Sequence, residues 1–329
     1  MDMANFWKEL KRPFFVLAPM EDVTDTVFRQ IVASVAKPDV FFTEFANVDA
    51  ICHTTSLPPP NLGGGIKGGG IHPGLQRLIY SESERPIVAQ VWGTDPEKFY
   101  KAAKLIKRLK FDGIDINLGC PVRKIIKTGA CAALIGQNEL VEEIIAAVTQ
   151  AGLPVSVKTR IGIKEPITED WIDFLLTQNL AAITIHGRTA TEKSEVPAKW
   201  DEIGKAVSLR NQSKSNTLII GNGDVDSIEN GKLKIENYGV DGVMIGRGIF
   251  QNIGIFNNRC PMFNKNQKIK LFIKHIKLFE QTWENTKNFA ILKKFAKTYV
   301  NGYVGAAETR EKLAATKSYD QLLDVLHQL

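Results

Sequence analysis

The stretch Asp112-Gly-Ile-Asp-Ile-Asn-Leu-Gly-Cys-Pro-Val122 predicts a short buried strand that ends in a tight turn. Its two isoleucines are β-branched and pack well in a sheet, its second glycine lets the backbone turn sharply, and its proline stops the strand. The turn therefore presents Asn117 and Cys120 just past the carboxyl end of a strand. By itself this position leaves two interpretations of the thiol open, a small buried hydrophobe or a group that faces a site.

Short apolar runs like this one recur along the first three-quarters of the chain, and segments with helical periodicity, such as residues 96–110 and 140–151, separate most of them. The runs are residues 14–18, 40–43, 86–92, 113–117, 154–158, 181–186, 217–221 and 242–246. A strand followed by a helix, repeated eight times, is typical of a (β/α)8 TIM barrel, an α/β fold. An open doubly wound sheet is the alternative, but no Gly-x-Gly-x-x-Gly follows the first run.

Polar residues stand at or just beyond the carboxyl end of every predicted strand. In chain order they are Glu21 and Asp22, Glu44, Gln90, Asn117 and Cys120, Lys158 and Arg160, His186 and Arg188, Asn222 and Asp224, and Arg247. In a barrel these ends meet at one face, which is where the active sites of such enzymes lie. Each residue alone has an explanation as a cap or turn residue, but the complete set favours an active site.

The last two predicted strands carry the most specific signal. Gly221-Asn-Gly-Asp224 and Met244-Ile-Gly-Arg-Gly248 place glycine amides and an arginine in the loops where many barrels bind a phosphate. Lys158 and His186 lie across the barrel mouth, where they suit an anionic ring system. A phosphorylated planar cofactor such as FMN is the economical interpretation, with Lys158 stabilising the reduced ring and Gln90 bonding its pyrimidine edge. A Schiff-base role for Lys158 is the alternative.

After residue 256 the alternation of strand and helix stops, and apolar residues recur at helical spacing instead. They form two stripes, one of Ile269, Phe272, Ile273, Ile276 and Phe279 and one of Phe289, Leu292, Phe295 and Tyr299. We therefore expect a catalytic barrel over residues 1–256 and a small all-helical domain over residues 257–329.

The net charge of +6 is unevenly distributed along the chain. Between Cys260 and Leu329 the sequence has twelve Lys or Arg and six Asp or Glu, so this segment carries the whole surplus. Lys293, Lys294 and Lys297 fall close together on the second predicted helix. Such a face is either an ordinary solvated surface or an electrostatic footprint for the phosphates of a nucleic acid.

The composition disfavours several classes of protein. The first residues contain acids and lack the apolar core of a signal peptide, and no apolar run approaches the roughly 20 residues that span a bilayer. The four cysteines include no close pair, which argues against a zinc site or a disulfide framework. We expect a cytoplasmic monomer without metal or membrane contact. Residues 54–74, rich in Pro and Gly, predict a mobile loop between the second and third strands.

Six motifs, in order along the chain, resemble those of the tRNA-dihydrouridine synthase family. They are Leu17-Ala-Pro-Met-Glu-Asp-Val-Thr-Asp25, Asp115-Ile-Asn-Leu-Gly-Cys-Pro121, Val157-Lys-Thr-Arg160, Ile185-His-Gly-Arg-Thr189, Gly221-Asn-Gly-Asp224 and Met244-Ile-Gly-Arg247. The resemblance runs from Phe14 through the helical segment. It implies a flavin-bearing (β/α)8 barrel followed by a helical tRNA-binding domain.

The resemblance also implies a reaction, the reduction of a uridine C5=C6 bond in tRNA by FMN that NADPH recharges. Cys120 matches the acid that protonates C5, and a free thiol with its usual pKa of about 8.5 is mostly protonated at neutral pH. The residues that match the flavin cradle are Ala18, Pro19, Met20, Gln90, Lys158, His186, Asn222, Gly223, Asp224, Gly246 and Arg247. Those expected to contact the tRNA are Asn117, Arg160, Arg188, Lys293, Lys294 and Lys297.

Two alternatives to this function stay open. One is a flavin barrel that acts on a free pyrimidine, although such an enzyme has no use for a basic helical appendage. The other is a flavin-retaining RNA-binding protein with little catalysis. The chain also departs from the family at Cys131, which lies in a stretch usually rich in Gly and small residues and is expected to be a small buried filler.

Overall fold

The computed structural model describes residues 5–53, 73–257, 263–284 and 286–329. Within these ranges, one parallel sheet contains nine strands. They are β1 (Phe14–Leu17), β2 (Val40–Phe42), β3 (Ala46–Asn47), β4 (Ile87–Trp92), β5 (Gly113–Leu118), β6 (Val155–Arg160), β7 (Ala182–His186), β8 (Leu218–Asn222) and β9 (Gly242–Ile245).

The sheet closes on itself. β1 pairs with β2 on one side and with β9 on the other, and β2 also pairs with β4, so the ring contains eight strands. The short β3 runs along the end of β4, where Ala46 lies opposite Val91. The predicted TIM barrel is therefore confirmed, and each predicted strand is present with its ends shifted by at most two residues. β3 is the strand that the apolar pattern did not reveal, because two residues are too few to show a periodicity.

Helices connect the strands and continue beyond the barrel. The α-helices are α1 (Thr26–Val35), α2 (Val48–Cys52), α3 (Pro73–Gln76), α4 (Pro96–Arg108), α5 (Arg123–Ile126), α6 (Asn138–Thr149), α7 (Thr168–Leu176), α8 (Trp200–Gln212), α9 (Ile228–Tyr238), α10 (Lys265–Trp283), α11 (Ala296–Tyr299), α12 (Ala306–Ala315) and α13 (Tyr319–His327). The 3₁₀ helices are Phe6–Lys8, Glu82–Glu84, Cys131–Leu134, Arg247–Phe250 and Phe289–Phe295.

The amino-terminal end of the barrel is filled by aromatic side chains. Trp7 is 2% exposed, and its ring lies 6.2 Å from that of Phe14 and 6.3 Å from that of Phe42. Phe14 begins β1, and Leu218 begins β8 in the same apolar cluster. Because this end is packed, the open space of the barrel lies at the carboxyl ends of the strands.

The helices after the barrel pack directly on α1. The rings of Phe28 and Phe295 stack with their centroids 5.0 Å apart, and the Trp283 Nε1–H donates to Asp25 Oδ2 at 2.7 Å. The first predicted stripe faces this contact, since Phe272, Ile276 and Phe279 are buried on α10. The helical segment and the outer face of the barrel thus share one apolar core. The division at residue 256 stays a prediction, and residues 258–262 lie outside the described ranges.

The second predicted stripe lies on a 3₁₀ helix followed by the short α11. Phe289, Leu292 and Phe295 are spaced by three residues, which is the period of a 3₁₀ helix rather than of an α-helix.

No helix in the described part of the chain is long and apolar enough to cross a membrane. Residues 54–72 of the loop predicted over residues 54–74 lie outside the described residues, and its last two residues begin α3.

Candidate active site

A cavity of about 720 Å³ opens at the carboxyl ends of the barrel strands. The sequence-predicted residues that line it are Ala18, Pro19, Met20, Gln90, Asn117, Cys120, Lys158, Arg160, His186, Arg188, Asn222, Gly223, Asp224, Gly246 and Arg247. The barrel thus brings together every predicted cradle residue and the four predicted substrate or acid residues of the barrel strands.

Other predicted polar residues do not line this cavity. Glu44, after β2, is 1% exposed; its Oε1 accepts from the Asp22 backbone N–H at 2.6 Å, and its Oε2 accepts from Lys287 at 3.4 Å. Lys293 donates to the backbone carbonyls of Ala314 and Thr316, at 2.8 and 2.6 Å, which are at the carboxyl end of α12.

The other two predicted lysines of the helical segment are exposed to solvent. Lys294 forms an ion pair with Asp22 at 3.1 Å, whereas Lys297 lies on the first turn of α11. The three lysines are therefore close in sequence but differ in their surroundings.

A chain of hydrogen bonds crosses the barrel beneath the cavity. Ser156 Oγ donates to Asp115 Oδ1 at 2.6 Å, Gln90 Nε2 donates to Asp115 Oδ2 at 2.8 Å, and Asn117 Nδ2 donates to Gln90 Oε1 at 3.0 Å. Because Asp115 can only accept when ionised, it fixes which way the Gln90 amide points, and Gln90 fixes the Asn117 amide in turn. Burial raises the pKa of Asp115 to about 6.

The turn that carries Cys120 is held from both sides. Asn117 Oδ1 accepts from the backbone N–H groups of Gly119 and Cys120, each at 3.0 Å. Arg160 Nε donates to the Gly119 carbonyl at 2.8 Å, and its Nη1 donates to the carbonyls of Thr189 and Lys193 at 3.0 and 2.9 Å. The thiol is thus presented by a rigid turn rather than by a free loop.

A second cysteine lies against this turn. Cys131 is fully buried, and the N–H of Ala132 donates to the Cys120 carbonyl at 3.4 Å. A hydrogen bond from the Cys131 thiol lowers the pKa of Cys120 to about 7, and the same contact together with burial raises the pKa of Cys131 far above its usual value. The expectation of an ordinary Cys120 pKa is therefore wrong, because it took no account of Cys131.

Cations dominate the walls of the cavity. Burial and the neighbouring Arg160 lower the pKa of Lys158 to about 8, and burial and Arg188 lower that of Arg160 to about 10. Burial, then Lys158 and the arginines, lowers the pKa of His186 far below its usual value. The histidine is therefore neutral, and the site attracts anions.

Arg188 closes one side of the cavity. Its Nη2 donates to both carboxylate oxygens of Asp224, at 2.6 and 2.5 Å, and its Nη1 lies 3.1 Å from His186 Nε2. Since an arginine can only donate, His186 Nε2 accepts, which agrees with a neutral ring. Arg188 Nε donates to the Val196 carbonyl at 2.5 Å and so anchors the loop after β7.

Two glycines shape the rim after β8 and β9. Gly223 has φ 129°, and a Cβ there would lie 2.7 Å from the Ala198 Cβ, so any other residue would be strained and crowded. A Cβ at Gly246 would meet the Ala18 Cβ at an ordinary 3.7 Å, which leaves the space in front of the backbone free. Arg247 stands beside this opening, with its Nη2 3.5 Å from Asp224 Oδ1.

Several residues that line the cavity were not predicted as site residues from the sequence. They are Phe45, Gly119, Pro121, Lys193, Ser194, Val225, Asp226, Met244, Gly248 and Gln251. Lys193 and Ser194 belong to the loop after β7, which the sequence predicts over this barrel face and which Arg160 and Arg188 hold there. Most of the others are sequence neighbours of predicted residues. Within the described ranges, no cluster of three or more His, Cys, Asp or Glu is arranged to hold a metal ion.

Comparisons with known proteins agree with this site. The dihydrouridine synthase (Dus) family model matches residues 70–328. A protein named "Probable tRNA-dihydrouridine synthase" from Staphylococcus aureus (strain COL) is 43% identical over 317 residues, 95% of this chain and 92% of the relative. The "Probable tRNA-dihydrouridine synthase 2" of Bacillus subtilis (strain 168) is 41% identical over 98% of this chain and 95% of the relative.

Among solved structures, the fold is similar to histamine dehydrogenase from Rhizobium sp. 4-9, with a TM-score of 0.53 and 12% identity over 80% of this chain and 48% of that chain. At this identity the likeness concerns the barrel alone. The family model spans well over half of the chain, and the two relatives span 95% and 98% of it. The chain is therefore an enzyme that belongs to the dihydrouridine synthase family.

Proposed function

We propose that this chain reduces the C5=C6 bond of uridines in tRNA to 5,6-dihydrouridine, with FMN as its cofactor and NADPH as the reductant. The observation that carries the proposal is the cavity in which Cys120 and Asn117 lie on one strand end and Lys158 and Arg160 on the next. The names of the relatives support the same substrate class, tRNA. The working unit we propose is a single chain acting in the cytoplasm.

The donor set of the cavity fits a flavin mononucleotide. Gly246 leaves room for a phosphate to approach the backbone, Gly223 permits the positive φ of the turn after β8, and Arg247 adds a positive charge beside that opening. Lys158 lies in the barrel mouth, where its ammonium group would face a planar ring held between the rim and β5. When bound, the reduced flavin would supply the hydride that adds to C6 of the uracil.

The remaining steps belong to residues of the chain. Cys120 would give its proton to C5 of the uracil, since its thiol is on a rigid turn and faces the cavity. Lys158, the strand neighbour of Asn117, would stabilise negative charge that develops in the site. A pKa of Cys120 near 7 makes the thiol a stronger acid than an unperturbed cysteine and still partly protonated at neutral pH.

Asn117 and Arg160 would hold the base, but each has little hydrogen-bonding capacity left. Asn117 uses Oδ1 for the turn and one N–H for Gln90, which leaves its other N–H for the substrate. Arg160 uses Nε and Nη1 for backbone carbonyls, and among the described residues its Nη2 makes no hydrogen bond. These two donors would meet the carbonyl oxygens of a uracil.

A uridine inside folded tRNA must leave its stack to reach the cavity, so the rest of the tRNA must be gripped elsewhere. Lys297 is exposed on α11, and Lys270, Lys274 and Lys277 are exposed along α10 at helical spacing. We assign phosphate contacts to such lysines, with Lys294 giving up its pair with Asp22 to contribute. Lys293 would support this surface through α12 rather than touch RNA.

The direct test is incubation of the purified protein with NADPH and unmodified tRNA, followed by nucleoside mass spectrometry. New dihydrouridine at defined positions is the expected result, and parallel reactions contain free uracil or orotate. Turnover of a free pyrimidine without new dihydrouridine in tRNA would contradict the proposal. Flavin retention without any turnover would instead favour an RNA-binding protein with little catalysis.

A further inference from the structure

Cys131 is a second thiol at the site that the proposed reaction does not use. It begins the 3₁₀ helix Cys131–Leu134, and its side chain is fully buried. The helix lies against the carboxyl end of β5, and the N–H of Ala132 donates to the Cys120 carbonyl at 3.4 Å. This backbone bond holds Cys131 next to Cys120, and the opposite pKa shifts of the two thiols agree with a hydrogen bond between them.

The two thiols differ in access. Cys120 is half-buried and lines the cavity, so a small solute in the cavity reaches its sulfur. Cys131 has no exposed surface and does not line the cavity. This is the arrangement of an attacking thiol in front of a resolving thiol.

We propose that Cys120 and Cys131 form an oxidation-sensitive thiol pair, in which Cys120 reacts with a hydroperoxide and Cys131 captures the oxidised sulfur as a disulfide. In the first step the Cys120 thiolate attacks one peroxide oxygen, the O–O bond breaks, and hydroxide leaves with a sulfenic acid on Cys120. In the second step the Cys131 sulfur attacks the Cys120 sulfur, the S–O bond breaks, and water leaves as the S–S bond forms. The two cysteines are oxidised by two electrons in total, and the hydroperoxide is reduced.

The electrostatics of the pair support the order of these steps. The hydrogen bond from Cys131, and then the charges of Arg160 and Lys158, lower the pKa of Cys120 and favour its thiolate, the form that attacks peroxides. Cys52 provides a contrast, because burial raises the pKa of its thiol, which donates to the Lys98 carbonyl at 3.7 Å. Selective oxidation at Cys120 is therefore expected over Cys52.

A disulfide would remove the S–H group from the cavity wall and spare Cys120 from irreversible oxidation. The inference of a pair rests on the contact between the cysteines alone. Its effect on turnover rests in addition on the proposed function, in which Cys120 is the proton donor.

The test is chemical and needs no substrate. The purified full-length protein is treated with hydrogen peroxide, free thiols are alkylated, and peptides are mapped by mass spectrometry with and without dithiothreitol. We expect Cys120 and Cys131 to lose alkylation together, to appear as one disulfide-linked peptide pair, and to recover after dithiothreitol. The Cys52→Ala variant should give the same peptide pair.

In Cys131→Ala, Cys120 should instead advance to sulfinic acid, which dithiothreitol does not reverse. This variant removes the sulfur without adding backbone strain. Position 131 has a left-handed φ of 56°, and alanine adopts this conformation about as readily as cysteine. Equal sulfinic acid at Cys120 in both proteins, pairing of Cys120 with Cys52 or Cys260, or no oxidation of Cys120 would each overturn the proposal. If the alanine variant does not fold, the wild-type peptide map still decides.

Discussion

Cys131 controls the acidity of Cys120 through one hydrogen bond, so removing that bond should shift the pH dependence of the reaction. The proton donor must be protonated, and activity therefore falls as the pH rises through the pKa of Cys120, about 7 in the intact site. In Cys131→Ala this pKa should rise towards the usual thiol value of about 8.5, and the alkaline limb should move up with it.

Thiolate absorbance of Cys120 and the pH profile of dihydrouridine formation measure the two effects separately. Cys52→Ala is the control and should shift neither. If Cys131→Ala binds flavin normally and its activity falls at the same alkaline pH as in the wild type, then a group other than Cys120 causes that fall. The sequence predicted Cys120 as the acid but not the lowered pKa of its thiol, because the contact with Cys131 depends on how a 3₁₀ helix packs on the turn.

Asp115 makes a second prediction at the level of single residues. Burial raises its pKa to about 6, above its usual value, so the folded chain binds this proton more tightly than the unfolded chain. Its contribution to stability is therefore full below pH 4 and is lost as the pH rises from about 4 to 6, by about 3 kcal/mol. Asp115→Asn should remove this part of the pH dependence.

Urea unfolding at both ends of this pH range measures the difference. Asp95→Asn, at an exposed helix cap, is the matched control and should keep the wild-type dependence. The asparagine at 115 should also disturb the site, because its N–H₂ group cannot accept from both Ser156 and Gln90. The same pH dependence in Asp115→Asn and wild type would contradict the assignment.

At the scale of elements, the strands were predictable and some helices were not. The apolar runs fixed the strands because buried parallel strands need continuous β-branched or aromatic residues. β6 runs on through Arg160, although its last residues are polar, because Arg160 lies opposite His186 on β7. In the sequence, polar residues after an apolar run predict a turn. In the structure these residues extend the strand, because a neighbouring strand pairs with them.

Asp25 joins two elements and should therefore matter more than an ordinary helix cap. Its Oδ1 caps α1 by accepting from the Phe28 N–H at 3.0 Å, and its Oδ2 accepts from Trp283 and Lys287 at 2.7 and 3.2 Å. Asp25→Ala should lower the free energy of unfolding by about 3–5 kcal/mol, because it removes the cap of α1, one of the two carboxylates that pair with the nearly buried Lys287, and the acceptor of the Trp283 N–H. Asp95→Ala, which removes a cap from α4 and an exposed ion pair with Lys98, should cost about 1 kcal/mol.

Denaturant unfolding of the two variants makes the comparison. Equal losses would show that Asp25 acts as a cap alone and that Lys287 does not fasten α10 to the barrel. The sequence does not reveal the second role, because Asp25 and Trp283 are far apart in the chain.

At the scale of the whole molecule, part of the surplus positive charge of the C-terminal segment is used internally. Lys287 is nearly buried and pairs with Asp25 and Glu44 of the barrel, and Lys294 pairs with Asp22. Composition located the surplus but did not tell a lysine that fastens the helices from one that faces solvent. That distinction needs the packed structure.

This distinction predicts different defects for two neighbouring lysines. Lys297→Ala should weaken tRNA binding regardless of sequence and reduce the slope of log affinity against log salt by about 0.7–0.9, the value for one lost phosphate contact. Lys293→Ala should leave this slope unchanged but lower the melting temperature, because two carbonyls at the end of α12 lose their donor. Salt titrations of tRNA binding and thermal unfolding measure both. Wild-type affinity and slope in Lys297→Ala would remove that residue from the footprint.

The proposed reduction of tRNA uridines depends most on Cys120 as the proton donor. The most direct measurement follows flavin absorbance in the Cys120→Ala variant, first during reduction by NADPH and then after unmodified tRNA is added to the reduced protein. We predict that reduction by NADPH is unchanged, while reoxidation by tRNA and formation of dihydrouridine are lost. Reoxidation by tRNA at the wild-type rate, with a full yield of dihydrouridine, would show that Cys120 is not the proton donor.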